Sequence, residues 1–218
     1  MNPNKAISQT LAEAYAPCSE FQHSCKEEMQ WNPGKGHVPR GFAGGTGHLD
    51  EVELVLVFAE PGDPHDRESH TGIVTAYNYA TDCFKNGKDQ FHRNVRAILN
   101  RCWPECTFEE QMRKVWLTDS VLCSARIECG QVSTRAARAC AERFLKPQLR
   151  LFPNALVVAL GKKAQERLSK VGVSDFLAVF AAAPPGCNQR AASASWELIP
   201  LELAKPCRPG RAERKPTQ

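Results

Sequence analysis

The chain has 218 residues, 28 Lys and Arg against 24 Asp and Glu, 42% hydrophobic residues and ten cysteines. That length suits one compact domain, and the ordinary hydrophobic and charged fractions exclude wholesale disorder. The net charge of +4 is local: residues 205–218 hold five basic residues and one acidic residue, and the remainder balances to zero.

The first fifty residues are loop-rich, with glycines gathered in Trp31–Gly36 and Gly41–Gly47. Val52–Phe58 is a run of mostly Val and Leu that predicts a buried strand, ended by Pro61-Gly62. Ile73–Phe84 and Phe91–Arg101 have helical spacing, and Trp103-Pro104 stops the second. Phe108–Arg113 predicts a short helix and Val115–Leu122 a second strand. Thr134–Leu151 is the longest helical pattern, capped by Ser133 or Thr134 and closed before Phe152-Pro153. Ala155–Leu160 predicts a third strand, Lys163–Lys170 a helix and Phe176–Ala182 a fourth strand. Trp196–Leu203 closes the pattern as a helix or strand piece. One domain over residues 1–204 is expected, followed by a basic, Pro-rich, disordered tail over 205–218 that could be no more than a solubilising end.

Strands alternating with helices predict an α/β fold: a three-layer αβα sandwich around a four-stranded parallel sheet. Ligands of such folds bind where the strands end. Those ends are Glu60–Gly62, Ser120–Cys123, Gly161-Lys162 and Ala183–Pro185.

The apolar runs Leu54–Ala59 and Phe176–Ala183 are far shorter than the roughly 20 residues of a membrane span. Met1–Ala16 lacks a long apolar centre and does not read as a secretory signal. A soluble, cytoplasmic protein is expected, nucleoid-associated if bacterial. Cysteines in a reducing compartment are buried small hydrophobes or metal ligands rather than disulfides, and the absence of any C-x-x-C pair gives no indication of a zinc knuckle or ribbon.

Three segments carry a resemblance: Thr118-Asp-Ser-Val-Leu-Cys123, then Cys140-Ala-Glu-Arg-Phe-Leu-Lys-Pro, then Phe152–Gly161 followed by Lys-Lys-Ala. With Phe58-Ala-Glu-Pro-Gly62 as the first motif, the chain resembles the uracil-DNA glycosylase superfamily over roughly residues 15–200, most closely its iron–sulfur branch. The resemblance implies a base-excising hydrolase of DNA, acting on uracil or another aberrant base, and a monomer. It also implies a [4Fe–4S] cluster on Cys123 and Cys140, with Cys18 and Cys25 as the N-terminal pair. The family's N-terminal cysteines are usually two residues apart, whereas six residues separate them here.

The same resemblance assigns roles at the strand ends. Glu60, beside Ala59, Pro61 and Gly62, would handle water or the sugar cation, or be a surface carboxylate at a turn. Asp119 stands where the family has the Asn that reads the base edge. It would stay protonated in an apolar pocket, or select a base with an exocyclic amine, or serve only as a capping or loop residue. His70 could stack on the base, with Tyr77 and Tyr79 as alternatives. The family's His that donates to the base is Ala183 here, and Asn188 or Arg190 could replace it. Lys35, Arg40, Lys162, Lys163 and Arg190 are the expected DNA contacts. The other reading is a non-catalytic nucleic-acid-binding relative of the same fold.

Overall fold

A computed structural model of the chain describes residues 2–205. In chain order the regular elements are α1 (Lys5–Ala12), β1 (Ala43–Gly44), β2 (Leu54–Phe58), α2 (Ile73–Asn86), α3 (Gln90–Cys102) and α4 (Phe108–Lys114). They continue as β3 (Val115–Asp119), α5 (Thr134–Cys140), α6 (Lys146–Arg150), β4 (Leu156–Leu160), α7 (Lys162–Lys170), β5 (Leu177–Val179), α8 (Ala192–Trp196) and α9 (Leu198–Leu203). Local chemistry sets several boundaries. Asp89 accepts from the His92 N–H to start α3, and Thr107 and Glu110 form a reciprocal capping box on α4. Ser133 caps α5, and Gly87 ends α2 in the left-handed conformation.

The sheet is open and has five strands in the order β1-β3-β2-β4-β5. β3, β2, β4 and β5 are parallel, and β1 pairs antiparallel with β3. The expected count of four was therefore one short. β1 spans two residues inside the Gly41–Gly47 segment, too short to show any alternation in sequence.

Every residue of β2 is buried, as a strand covered on both faces requires. Its odd and even positions divide between two cores. Val55 and Val57 face a cluster with Ile7 and Leu11 of α1, Ala136 of α5 and Leu168 of α7. Leu54, Leu56 and Phe58 face the other, with Phe84 of α2, Ile98 of α3, Met112 of α4 and Ile199 of α9. The helical stretch after Ser133 is continuous but widens into a π-turn over Ala141–Leu145. Pro147 follows two residues after Leu145. It has no N–H to give the preceding turn and its ring crowds the carbonyl four residues back, so the wider turn relieves the conflict. Gln148 then docks this stretch on the sheet: its Oε1 accepts from Trp116 Nε1 at 3.0 Å and Thr118 Oγ1 at 2.8 Å, and its Nε2 donates to the Phe144 carbonyl.

No helix among the described residues is long and apolar enough to cross a membrane. The expected tail lies outside the described residues apart from Lys205, which pairs with Glu202.

Candidate functional site

The carboxyl ends of β2 and β3 lie side by side, with Phe58 opposite Asp119 in the register. The pairing runs past both strands. The Ser120 N–H donates to the Phe58 carbonyl, and the Val121 N–H and Ser120 Oγ donate to the Ala59 carbonyl. Ala59 and Glu60 are thereby fixed beside Asp119.

Glu60 leaves this edge into a cationic nest. Its Oε1 lies 2.7 Å from Lys163 Nζ and its Oε2 lies 2.5 Å from Arg167 Nη1, with the side chain 6% exposed. Arg167 Nη1 also donates to the Ala59 carbonyl at 2.9 Å and Ser120 Oγ at 3.1 Å. Despite the ion pair, Glu60 Oε2 is buried and accepts no hydrogen bond among the described residues. Lys163 Nζ is shared with the carbonyls of Cys129 and Gly130, which fastens the loop after β3 over this corner. Arg167 carried no sequence signal of its own. Its place one helical turn after Lys163 puts both cations on the same face of α7.

Asp119 is 4% exposed. Burial raises its pKa well above the usual carboxylate value, and Glu60 pushes the same way against the opposing pull of Arg40 and Arg167. Gly41 lies against the carboxyl, with φ +88° and no room for a Cβ beside Asp119 Oδ2.

Arg40, expected to contact phosphate, is buried instead. Its guanidinium donates to the carbonyls of Gly36 and Gly62 and lies 3.5 Å from Glu68. Glu68 receives His70 Nε2 at 2.8 Å and the His65 N–H at 2.9 Å. His70 is 5% exposed, and Tyr79 packs against its ring edge-on at 5.5 Å. The Glu68-Ser-His segment thus builds an interior ion-pair network behind the Asp119 corner. Lys35 is exposed.

Lys162 and Arg190 are exposed. Asn188, also exposed, accepts from Gln90 Nε2 at 3.0 Å at the start of α3. No hydrogen bond or ion pair among the described residues joins Asn188 or Arg190 to Glu60 or Asp119. Ala183 precedes the turn at Pro184-Pro185, and its carbonyl accepts from the Cys187 N–H.

The four cysteines gather at a second place, in the core on one face of the sheet. Cys18, Cys25, Cys123 and Cys140 are all free, buried and part of one core cluster. Burial pushes the Cys25 thiol up to about 12, with Cys140 and Cys18 adding to it. Burial likewise raises Cys123, with further pushes from Cys140, Cys25 and Cys18, and raises Cys140 to about 12, with Cys18 adding to it. Every pairing among the four is therefore within electrostatic reach. The six-residue spacing is absorbed by a 3₁₀ turn, Ser19–Gln22, and by the Cys25 N–H bonding back to the Glu20 carbonyl. The arm is then pinned beside Cys123. Gln30 N–H donates to the Ser124 carbonyl, Arg126 N–H to the Glu28 carbonyl, and Glu28 receives the Ser133 N–H.

Among the described residues, no group of three or more His, Cys, Asp or Glu converges on a single metal ion. A four-iron cube makes a different demand. Each thiolate binds its own iron, so the sulfurs must surround a volume rather than meet at a point. An all-thiolate donor set in an apolar wall suits that group chemically.

No protein-family model matches the chain, and no curated protein matches it.

Proposed function

We propose that the chain is a DNA glycosylase with the three-layer uracil-DNA glycosylase fold, hydrolysing the N-glycosidic bond of uracil or a base with the same edge. The observation that carries this reading is Asp119, a carboxyl buried at the end of a central strand with its pKa pushed upward by that burial. Burial shifts its pKa upward and so favours the protonated carboxyl. A protonated carboxyl offers one O–H donor and one carbonyl acceptor, the same pair as the amide that the resemblance places there. The O–H suits the uracil O4 and the carbonyl suits its N3–H. An exocyclic amine would instead favour an ionised, acceptor-only carboxylate, which burial opposes.

Glu60 supports the second half of the chemistry. Its Oε2, ion-paired with Arg167 but accepting no hydrogen bond among the described residues, is an acceptor for an attacking water, and its charge would stabilise the cationic sugar that develops as the bond breaks. The water oxygen bonds to C1′, the glycosidic electron pair leaves with the base nitrogen, and the water proton passes to Glu60. Lys163 and Arg167 hold the carboxylate in place. A base reaching Asp119 must displace part of what buries it, and the Gly41 backbone is close against the carboxyl.

Cys18, Cys25, Cys123 and Cys140 would hold a [4Fe–4S] cluster, which when bound ties the N-terminal arm, the loop after β3 and α5 together. Pro61, Gly62, His70 and Asn188 receive no role in reading the base here. Lys162 and Arg190 stay available to phosphate.

The second reading, a non-catalytic nucleic-acid-binding relative, is favoured by Ala183, which has no side-chain donor for the departing base. Losing such a donor costs on the order of 10²–10³ in rate. Oligonucleotides carrying uracil, hypoxanthine, xanthine or only normal bases, followed by alkali, separate the two. Alkali-labile sites at uracil that vanish with Glu60→Gln support the enzyme. Binding without product on every substrate supports the relative.

A further inference from the structure

Beside Glu60, a groove of about 410 Å³ runs between the start of α5 and one face of α7. Arg138, Lys163, Arg167 and Lys170 line it, against Glu166 as its acidic residue. Two of these cations are already engaged. Lys163 and Arg167 turn their charged ends to Glu60, at 2.7 and 2.5 Å. The bonds that Arg138 and Lys170 make among the described residues are to neutral oxygens: Arg138 Nη2 donates to the Lys170 carbonyl at 3.3 Å, and Lys170 Nζ reaches Thr134 Oγ1 at 3.4 Å. Both residues are exposed and line the groove, and one neutral bond each uses a minority of the five donors of a guanidinium and the three of an ammonium. The walls are firm. Ser133 caps α5, and the Cys129 and Gly130 carbonyls hold Lys163 at the mouth.

We propose that this groove seats a phosphate oxyanion through Arg138 and Lys170, and that its source is the nucleic-acid backbone flanking the base held at Asp119. The choice of source rests on the glycosylase reading. The seat itself rests on the groove and its two cations. Lys163 and Arg167 link the sites, because each lines the groove while binding Glu60. A backbone lying in the groove therefore runs past the catalytic corner.

The test uses the full chain and a fluorescent single-stranded oligonucleotide titrated at several salt concentrations. Each phosphate contact to a single strand contributes about 0.7 to the slope of log K against log salt. The Arg138→Gln/Lys170→Gln double variant is expected to shallow the slope by about 1.4. Glu166→Gln, at an exposed position, is expected to act oppositely and tighten Kd by about twofold to fivefold. Equal affinity and slope for the parent and all variants would overturn the groove while leaving nucleic-acid binding intact. A parallel arm follows the melting temperature with added inorganic phosphate. Stabilisation of the parent but not the double variant, with no oligonucleotide bound, would keep the seat, make free phosphate its ligand and remove the nucleic-acid reading. No response in either arm would overturn the seat.

Discussion

The backbone of Gly41 presses against the Asp119 carboxyl so closely that any side chain at position 41 would collide with Oδ2. The two residues come from a loop and a strand 78 positions apart, at φ +88° on the glycine side. The contact contributes to the burial that pushes the Asp119 pKa upward.

Gly41→Ala should therefore destabilise the protein by about 1–3 kcal/mol, from the left-handed backbone alone, before any collision is counted. Urea unfolding of Gly41→Ala in the Asp119→Gly background checks the collision. Part of the loss should return when the carboxyl is gone, and the backbone part should remain.

The interior network at Glu68 predicts an acid transition. Burial of Glu68 opposes its charge, but the bonds from His70 and the His65 N–H and the nearby Arg40 outweigh it and hold the carboxyl down at about 2. The group is ionised in both states above the unfolded value near 4.5, where its contribution is fully present. The contribution, about 3 kcal/mol, is lost as pH falls from there toward 2. Chemical denaturation across that range should show the fall. Glu68→Gln should remove this dependence and cost about 3–5 kcal/mol at neutral pH, because it leaves the Arg40 charge buried without its partner.

The Glu68 network also marks a limit of sequence reading. Its spacing, Glu68-Ser-His70, was legible, but the chain distance from Arg40 was not, so Arg40 read as a surface cation and His70 as a base platform. Burial reverses the meaning of both. The parallel strands were legible because continuous Val and Leu runs bounded by turns have few other uses. β1 was hidden by its two-residue length. The strand ends drew attention to Glu60 and Asp119 because the α/β arrangement brings such ends together. Arg167 and Gly41, which decide how those carboxyls behave, were not singled out by spacing. Their roles depend on helix phase and backbone conformation.

The cysteine nest predicts metal-dependent behaviour. Reconstitution with ferrous iron and sulfide under anaerobic conditions should load about four irons per chain. Cys123→Ser and Cys140→Ser should lose the iron, whereas Cys129→Ser, an exposed thiol, should keep it. Binding must strip protons from thiols raised to about 12, so loading should release protons and weaken as pH falls. Equal iron in all variants, measured by a colorimetric iron assay, would remove the nest as its site.

The pH profile of uracil excision by the parent chain, Asp119→Asn and Asp119→Ala is the measurement that bears most directly on the account. The proton on Asp119 is needed in the donor role, so parent activity should fall as pH rises through the raised Asp119 value. Asp119→Asn carries a permanent donor and should retain excision without that fall. Asp119→Ala should lose on the order of 10² in rate. Parent activity that rises over the same range, or an Asp119→Ala rate equal to the parent's, would contradict a protonated Asp119 reading the base.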